Sequence, residues 1–347
     1  MPAPHASIAR SLAPLAVLAL STSACAAIEP LETTGLYELF ESPAPESECG
    51  RDDSSSLYED DADLRGPHFA VSFSCHFAAT EVPEQVAAEA EELAGLPQLI
   101  DGAELLINRI APAPYFEPED QTATSGAEDH WVEAGGERID LDHMPVPGNY
   151  IAVSVPSGED AVLWVEDEGR TQGLDFRTGD RVDPVAAYYN GVSLKKRKDD
   201  GWKYEDVKLW KGGRYWEIGC WSDWSYVTRA LWDRERGWAP AGSAWLTVDF
   251  WWCGGDHTFD EVTWELDTER AIKVWDGDRY LDPVDWSETE NRGEERGLDV
   301  TVVFEVPVET DVLIADFTPV SEIIEHETGD RYRLRNLPEA TEWMYLF

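Results

Sequence analysis

Tryptophan is concentrated in the second half of this 347-residue sequence. Thirteen of the 16 tryptophans lie between Trp202 and Trp286. Exposed indole rings form apolar platforms on which sugar rings stack or partner surfaces dock. The competing interpretation is structural, because aromatic side chains also fill cores and stabilise half-buried strands. The candidate ligand-binding aromatics are Trp221, Trp224, Trp251 and Trp252, and the last two would point to opposite faces of a strand.

Four of the five cysteines are predicted to form two disulfides. Cys25 lies at the end of a predicted export signal, where either lipid attachment or cleavage would remove it from the pool of free thiols. Four cysteines then remain. In an exported protein, four such cysteines favour disulfide bonds, for which three connectivities are possible. We predict the sequential pairing, because it keeps each bond within one half of the chain: Cys49 with Cys75, and Cys220 with Cys253.

A zinc site is the alternative use of the same cysteines. Cys75-His76 and Cys253 with His257 could supply ligands, but a close pair such as C-x-x-C, typical of tetrahedral zinc sites, is absent. The sequence therefore predicts disulfides and no metal site. His68 and His76 flank the strand that enters Cys75, where a structural role is the simpler interpretation.

Motifs that would define an enzyme are missing from the sequence. There is no G-x-S-x-G elbow, no H-E-x-x-H and no glycine-rich phosphate loop. With 70 acidic residues, carboxylate pairs for glycoside hydrolysis could be drawn almost anywhere, so their abundance does not locate a site. The sequence favours a non-enzymatic role, with no catalytic residue and no cofactor predicted. The alternative is a secreted hydrolase that acts on polysaccharide through two carboxylates beside the tryptophans.

The charge balance restricts the class of partner. Lysine and arginine number 27 against 70 aspartates and glutamates, for a formal net charge of -43. Nucleic acid and anionic membrane surfaces would be repelled, so neither is predicted as a partner. A solvated acidic surface is the simplest interpretation, and cation binding is the functional alternative. Asp276-Gly-Asp278 has the spacing of the first ligands of a calcium loop but lacks the closing glutamate, so it is predicted as a turn.

The N-terminus predicts export. Arg10 and the apolar run 11–20 form a signal peptide over residues 1–24, and no later stretch is apolar enough to span a bilayer. Thr22-Ser23-Ala24 before Cys25 resembles the lipobox of bacterial lipoproteins. This resemblance implies a lipid attached to Cys25 and a location at the outer face of the cell membrane. The alternative is cleavage after the triplet 24–26, which would release a secreted protein.

Composition then divides the mature chain into three parts. Residues 25–66 are rich in acidic residues, serine and proline, and are predicted to be a tether between membrane and folded protein. The first domain spans 67–190 and the second, rich in tryptophan, spans 191–347. The only basic run, 195–198, lies near this boundary and is predicted to be a solvated hairpin or linker.

Strand signals dominate both domains. Apolar and polar residues alternate in 69–75, 150–155 and 161–165, as expected for half-buried strands. One helix is predicted from Pro83 to Ala94, with Thr80 as its cap, and a polar stretch from Glu117 to Gly136 is predicted as a loop.

The second half loosely repeats the first. Leu246-Thr-Val-Asp-Phe-Trp-Trp-Cys253 resembles Phe69-Ala-Val-Ser-Phe-Ser-Cys75, and 300–307 followed by 312–316 resembles 151–156 followed by 162–166. In each half, a strand is followed by a Val-Pro step and a second strand. This pattern resembles the immunoglobulin-like domains of bacterial secreted lipoproteins. The resemblance implies two tandem antiparallel β-sandwich domains, mainly β, with one short helix inserted in the first.

The combined prediction is a non-enzymatic lipoprotein of the cell envelope with a binding or structural role. Its partners would be the membrane, through the lipid anchor, and either cell-wall polysaccharide or another envelope protein. The sequence does not define an oligomeric state.

Overall fold

The computed structural model describes most of the chain from residue 33 onward. The described residues are 33–44, 56–112, 129–190, 194, 196–199, 203–211, 214–221, 225–253, 262–291, 297–333 and 341–346. None of the helices in these ranges is long and apolar enough to cross a bilayer. The predicted signal peptide and the lipid-attachment residue Cys25 lie outside the described residues.

The described residues are mainly β-strand, with three short α-helices. The strands of the first half are β1 (Leu39–Pro43), β2 (Ser56–Arg65), β3 (Ala70–Ala79), β4 (Ala103–Ala111), β5 (Asp129–Ala134), β6 (Glu137–Asp140), β7 (Asn149–Pro156), β8 (Ala161–Asp167), β9 (Arg170–Asp175) and β10 (Arg181–Val182). Its helices are α1 (Glu84–Glu89), α2 (Glu91–Ala94) and a 3-10 helix at Ala186–Tyr188.

The second half also consists mainly of β-strands. Its strands are β11 (Lys196–Asp199), β12 (Lys203–Lys211), β13 (Arg214–Trp221), β14 (Ser225–Ala230), β15 (Trp232–Asp233), β16 (Gly237–Trp238), β17 (Ser243–Trp252), β18 (Val262–Leu266), β19 (Ile272–Trp275), β20 (Tyr280–Leu281), β21 (Asp285–Asn291), β22 (Gly297–Pro307), β23 (Val312–Phe317), β24 (Ser321–Glu325), β25 (Arg331–Arg333) and β26 (Thr341–Leu346). Its helix is α3 (Thr268–Ala271).

In the first half, two antiparallel sheets enclose one core. Their strand orders are β1-β7-β4-β3-β2 and β10-β9-β8-β5-β6. Leu106 and Val153 of one sheet belong to the same buried cluster as Val132, Leu163 and Val165 of the other. Alternating burial in β8 places every second side chain in this core, as expected for a two-sheet sandwich.

The outer face of the first sheet is covered by the short helices. Val86 and Leu93 are fully buried and pack in one cluster with Phe77, Leu105 and Tyr150 of the sheet. The predicted helix 83–94 is therefore present, but it is interrupted at Ala90, where the backbone leaves the helical region. Pro83 rather than Thr80 is its N-cap.

The second half is built on a closely similar sheet. Its order is β11-β14-β17-β22-β21, and two smaller sheets, β20-β19-β23-β26 and β18-β24-β25, contribute to the same core. Trp252, Trp264 and Phe317 are fully buried there and make edge-to-face ring contacts. Every described strand pair lies within one half of the chain, so the two halves have separate sheets.

The central strands of the two large sheets, β3-β4-β7 and β14-β17-β22, share an order and a register. Ala103 of β4 lies opposite Pro156 of β7, and Ser243 of β17 lies opposite Pro307 of β22. The glycine before each of these strands has a left-handed φ, +83° in Gly102 and +82° in Gly242. Each also accepts a hydrogen bond from the residue after the proline, at 2.9 and 3.0 Å. The three central strands of the two sheets therefore correspond, with β4 equivalent to β17, whereas the edge strands β1 and β21 come from different places in the chain.

This equivalence corrects part of the predicted alignment. The segments 151–156 and 300–307 do correspond, and the strand that follows each Val-Pro step joins the other sheet. The alignment of 69–75 with 246–253 was wrong, because β3 occupies the position of β14 and not of β17. The similarity that suggested it is a shared alternation, which any strand with one buried face has.

The tether prediction was also wrong for the residues that are described. Strand β1 pairs with β7, and β2 pairs with β3, so both belong to the first sandwich. The basic run is likewise not a linker, since Lys196–Asp199 forms the edge strand β11 next to β14. The predicted loop 117–136 contains Asp129–Ala134, which forms β5, while 117–128 lie outside the described residues.

Two histidines make the stability of the first half sensitive to mild acid. Burial lowers the pKa of His130, helped by His143 and opposed by Asp129. Burial, and then Arg177, lower the pKa of His76. Because the unfolded chain binds these protons first, the stability they contribute is complete above about pH 6.5 and is lost as the pH falls below it.

Urea unfolding at neutral pH and near pH 5.5 measures this effect. We expect the loss of stability between the two pH values to be smaller in His130→Phe than in the natural chain. Neither ring nitrogen of His130 has a hydrogen-bond partner among the described residues, so the substitution breaks no such bond. His143, whose side chain is 60% exposed, contributes less to that shift than burial does, so His143→Gln should reduce the pH difference less than His130→Phe does. An unchanged pH difference in His130→Phe would contradict the assignment.

Candidate ligand-binding groove

A groove of ≈ 470 Å³ lies on the outer face of the large sheet in the second half. The sheet strands β14, β17, β21 and β22 form its floor, and the β15–β16 hairpin forms one wall. In the first half the chain between the equivalent strands β3 and β4 forms the covering helices. The lining residues are Thr228, Ala230, Trp232, Asp233, Arg234, Glu235, Arg236, Trp245, Thr247, Asp285, Trp286, Ser287, Thr301 and Val303.

Three tryptophans give this groove its apolar surface. Trp245 lies on β17, whose burial alternates so that Ala244 and Leu246 are in the core and Trp245 is on the outer face. Trp286 lies on the neighbouring edge strand β21 and is 43% exposed. Trp232 is nearly buried at the base of the hairpin wall. Trp245 Nε1 donates to the Gly237 carbonyl oxygen at 3.0 Å, which joins floor and wall.

A charged cluster lies beside the tryptophans. Arg236 Nη1 donates to Asp233 Oδ1 at 2.9 Å, and Nη2 donates to Asp285 Oδ2. Burial opposes the charge of this guanidinium. The hydrogen bonds that it donates to Asp285 and Asp233, together with their negative charges, nevertheless raise the pKa of Arg236 above its ordinary value. Asp233 Oδ1 also accepts hydrogen bonds from the backbone of Glu235 and Arg236. The cluster is a fixed array of donors and acceptors within reach of a ligand.

The hairpin wall is also the contact between the two halves. Trp238 Nε1 donates to the Glu168 carbonyl oxygen at 2.9 Å, and the Arg170 guanidinium lies 4.2 Å from the Trp238 ring centroid. The Trp232 ring meets the His68 ring edge-on, with centroids 4.6 Å apart. A second cleft of ≈ 380 Å³ follows this contact, and residues of both halves line it, among them Arg170, Val185 and Trp238.

The two predicted aromatic candidates whose side chains are described, Trp251 and Trp252, do not line this groove. Trp252 is fully buried in the core, where its ring meets that of Trp264 edge-to-face, so its assignment to a ligand surface was wrong. Trp251 is half-buried on the opposite face of β17, as its position next to Trp252 predicts. Trp221 ends β13, of which only the backbone is described, and Trp224 lies outside the described residues.

Of the four candidates, Trp252 was assigned wrongly, and the groove tryptophans Trp232, Trp245 and Trp286 were not selected from the sequence. The alternation of apolar residues in 243–252 contains the missing signal, because the even positions are Ala, Leu, Val, Phe and Trp. Trp252 follows this apolar series into the core, and Trp245 follows the polar series outward. No such alternation predicts that Trp286 and Trp232 line the groove, because their neighbours there come from strands that are distant in the sequence.

The cysteines and the acidic turn can also be placed. Cys75 and Cys253 are buried, and each is bonded in a disulfide. Cys49 lies outside the described residues, and only the backbone of Cys220 is described, so the predicted pairing is not tested. Asp276 Oδ1 accepts hydrogen bonds from the backbone of Asp278 and Arg279, both at 2.9 Å. Its carboxylate thus caps a tight turn, in agreement with the predicted turn.

The fold and the groove define a mainly β chain of two similar halves with an aromatic recess in the second. No family model and no curated protein matches the sequence. Among solved structures, the conserved domain protein from Bacillus anthracis is similar over 88% of this chain and 94% of that chain, at 8% identity and a TM-score of 0.21. A TM-score this low supports no statement about the fold or function of this chain.

Proposed function

We propose that this chain is a non-enzymatic binding protein of the cell envelope, and that the groove binds a neutral polysaccharide. The observation that carries the proposal is a groove lined by three tryptophans, with Trp245 and Trp286 on the sheet face and Trp232 at the base of the hairpin wall. A volume of ≈ 470 Å³ falls in the range of small-ligand sites, which combine apolar walls with a few polar groups.

The polar groups of the groove suit a ligand rich in hydroxyls. Arg236 offers donors, while Asp233 and Asp285 offer acceptors, and all three are fixed by their mutual hydrogen bonds. Such preorganisation reduces the entropy lost on binding. The net charge of -43 disfavours anionic polymers, which is why we propose a neutral ligand.

The rival function is hydrolysis of the bound polysaccharide. It is favoured by one observation, since Asp233 and Asp285 are two carboxylates beside tryptophans in one groove. General acid catalysis requires a carboxyl group that holds a proton for the leaving group. Both carboxylates here instead accept hydrogen bonds from Arg236. Binding without turnover is therefore the function that we propose.

The proposed setting is the outer face of the cell membrane. Export would follow from the signal peptide, and anchoring from a lipid on Cys25. In the proposed pairing, each half contains one disulfide bond, Cys49–Cys75 in the first and Cys220–Cys253 in the second. We further propose that each half is immunoglobulin-like. In support, the orders β14-β17-β22-β21 and β19-β23-β26 correspond to the A-B-E-D and C-F-G sheets of that fold.

Substitution of the groove tryptophans tests the proposal. In a screen of neutral polysaccharides against residues 26–347, we expect saturable quenching of tryptophan fluorescence by at least one polymer. Trp245→Ala and Trp286→Ala should each weaken that binding by about 10-fold or more, as expected for an aromatic anchor.

The matched control is Trp275→Ala. Trp275 is a partly exposed tryptophan whose ring contacts that of Tyr280 edge-to-face outside the groove, so affinity should not change. Reducing-end release is measured in the same samples to detect hydrolysis. Binding that is unaffected by both groove substitutions, or an absence of binding to every polymer, would contradict the proposal. Turnover of a bound polymer would instead establish the hydrolase.

A further inference from the structure

An imidazole and two carboxylates converge where the two halves meet. His68 Nδ1 lies 2.8 Å from Asp167 Oδ1 and 4.0 Å from Glu168 Oε1. One potential ligand atom from each of the three residues falls within 4.8 Å of the others. These residues are separate from the groove, and none of them was predicted to bind a metal.

The fold brings the three residues together through two tight turns. His68 lies between β2 and β3, in a turn closed by the Gly66 amide, which donates to the Phe69 carbonyl oxygen at 2.9 Å. A Cβ on Gly66 would lie 2.8 Å from Asp167 Oδ2, so glycine allows this close approach. Glu168 and Gly169 form the two-residue turn from β8 to β9.

The backbone of that turn has an unusual residue. Glu168 has a left-handed φ of +51°, and Gly169 has a φ of +75°. Turns with two such residues favour asparagine, aspartate or glycine at the first position. Glutamate is therefore not explained by the turn itself, and its side chain lies beside His68.

Burial separates this cluster from ordinary surface carboxylates. The side chain of Asp167 is 1% exposed, that of His68 is 8% exposed and that of Glu168 is 34% exposed. Among the described residues, only His68 lies within ion-pairing distance of Asp167. The other deeply buried carboxylate in this half, Asp63, is paired with both Arg65 and Arg181. The two oxygens of Asp167 are bonded to the ring and to the backbone amide of His68, at 2.8 and 3.0 Å, but no described arginine or lysine pairs with it as with Asp63.

We propose that His68, Asp167 and Glu168 form a binding site for a divalent transition-metal ion, with zinc the best match. Imidazole nitrogen and carboxylate oxygen are zinc ligands at about 2.0–2.2 Å, whereas calcium and magnesium prefer oxygen alone. The ion replaces the proton shared by His68 Nδ1 and Asp167 Oδ1, and that proton is released to solvent. Three protein ligands leave at least one position for water.

Metal binding at this site would also order the groove. The Trp232 ring contacts the His68 ring and lines the groove, so fixing the imidazole fixes one wall. The metal site itself does not depend on the proposed polysaccharide ligand. Its test therefore uses metal ions alone.

Calorimetric titration of residues 26–347 with zinc chloride, in excess magnesium to occupy exposed carboxylates, measures the site. We expect one tight zinc equivalent. Glu168→Gln should weaken it by about 10-fold or more. That side chain is partly exposed, and only the backbone oxygen of Glu168 accepts the Trp238 hydrogen bond, so the variant should fold. His68→Gln should abolish the tight equivalent, and circular dichroism checks its folding.

The control variant is His143→Gln. His143 is an exposed imidazole that lies 3.8 Å from Glu41, so it reports adventitious binding between a histidine and a surface carboxylate. Cobalt(II) titration supplies a second readout, because a bound nitrogen ligand changes its visible spectrum. The spectrum should persist in His143→Gln, be lost in His68→Gln, and require about 10-fold more cobalt in Glu168→Gln. A natural chain that takes up no zinc in excess magnesium, or a Glu168→Gln variant that titrates like it, would overturn the proposal.

Discussion

Replacing Trp252 by alanine is expected to lower the free energy of unfolding by about 3–5 kcal/mol. The side chain is fully buried, and its ring packs against Trp264 at 4.8 Å and Phe317 at 5.9 Å between centroids. Its Nε1 also donates to the Trp264 carbonyl oxygen at 3.3 Å. The substitution leaves a cavity among three strands and an acceptor without its partner. Denaturant unfolding of the second half measures the effect.

The adjacent residue provides a matched control. Trp251 has the same side chain on the same strand but lies half-buried on the opposite face. Trp251→Ala should therefore cost clearly less than Trp252→Ala, because fewer contacts are lost and water can fill part of the space. Equal losses for the two variants would contradict the assignment of these faces.

Replacing Asp63 by asparagine is expected to destabilise the first half by about 3–5 kcal/mol. The Asp63 side chain is 1% exposed and accepts hydrogen bonds from Arg65 and Arg181. Arg181 also donates to the Asp63 carbonyl oxygen and lies over the Tyr189 ring at 4.0 Å. Asparagine removes the carboxylate charge, so the partly buried guanidinium groups of Arg65 and Arg181 lose their counter-ion.

Asp160→Asn is the control for that substitution. Asp160 is paired with Arg177 at 3.0 Å, but its side chain is 65% exposed. An exposed ion pair contributes less than about 1 kcal/mol, because water screens it. Unfolding of both variants in urea, monitored by circular dichroism, should give a large shift in the midpoint for Asp63→Asn and a small one for Asp160→Asn. If the two midpoints moved equally, the buried network would not have the proposed importance.

The sequence predicts the fold class well because strand signals are local. Alternation of apolar and polar residues at 150–155 and 161–165 identifies strands β7 and β8 directly. The strand pattern is visible because one face of each strand is buried, and burial selects residues at the period of the backbone. The helical segment 83–94 is identified by a different local signal, Pro83 near its start and Gly95-Leu-Pro97 after its end.

The strands β1 and β2 were missed because their local signals are weak. Ser56–Arg65 contains four acidic residues, which is typical of a solvated segment. One of them, Asp63, is buried because Arg181, 118 residues further along the chain, supplies its charge. A single sequence does not reveal such a pairing, and the acidic composition alone predicts a tether.

The candidate sites show the same division between local and long-range information. The sequence by itself determined the mainly β architecture and the concentration of tryptophan in the second half. Only the tertiary structure decided which tryptophans share a groove and that His68 meets Asp167 and Glu168. Alternation assigns a side chain to a face, but the contacts of that face depend on pairing between strands distant in the sequence, such as β17 with β22. That pairing is a cooperative outcome of the whole fold and has no local signature.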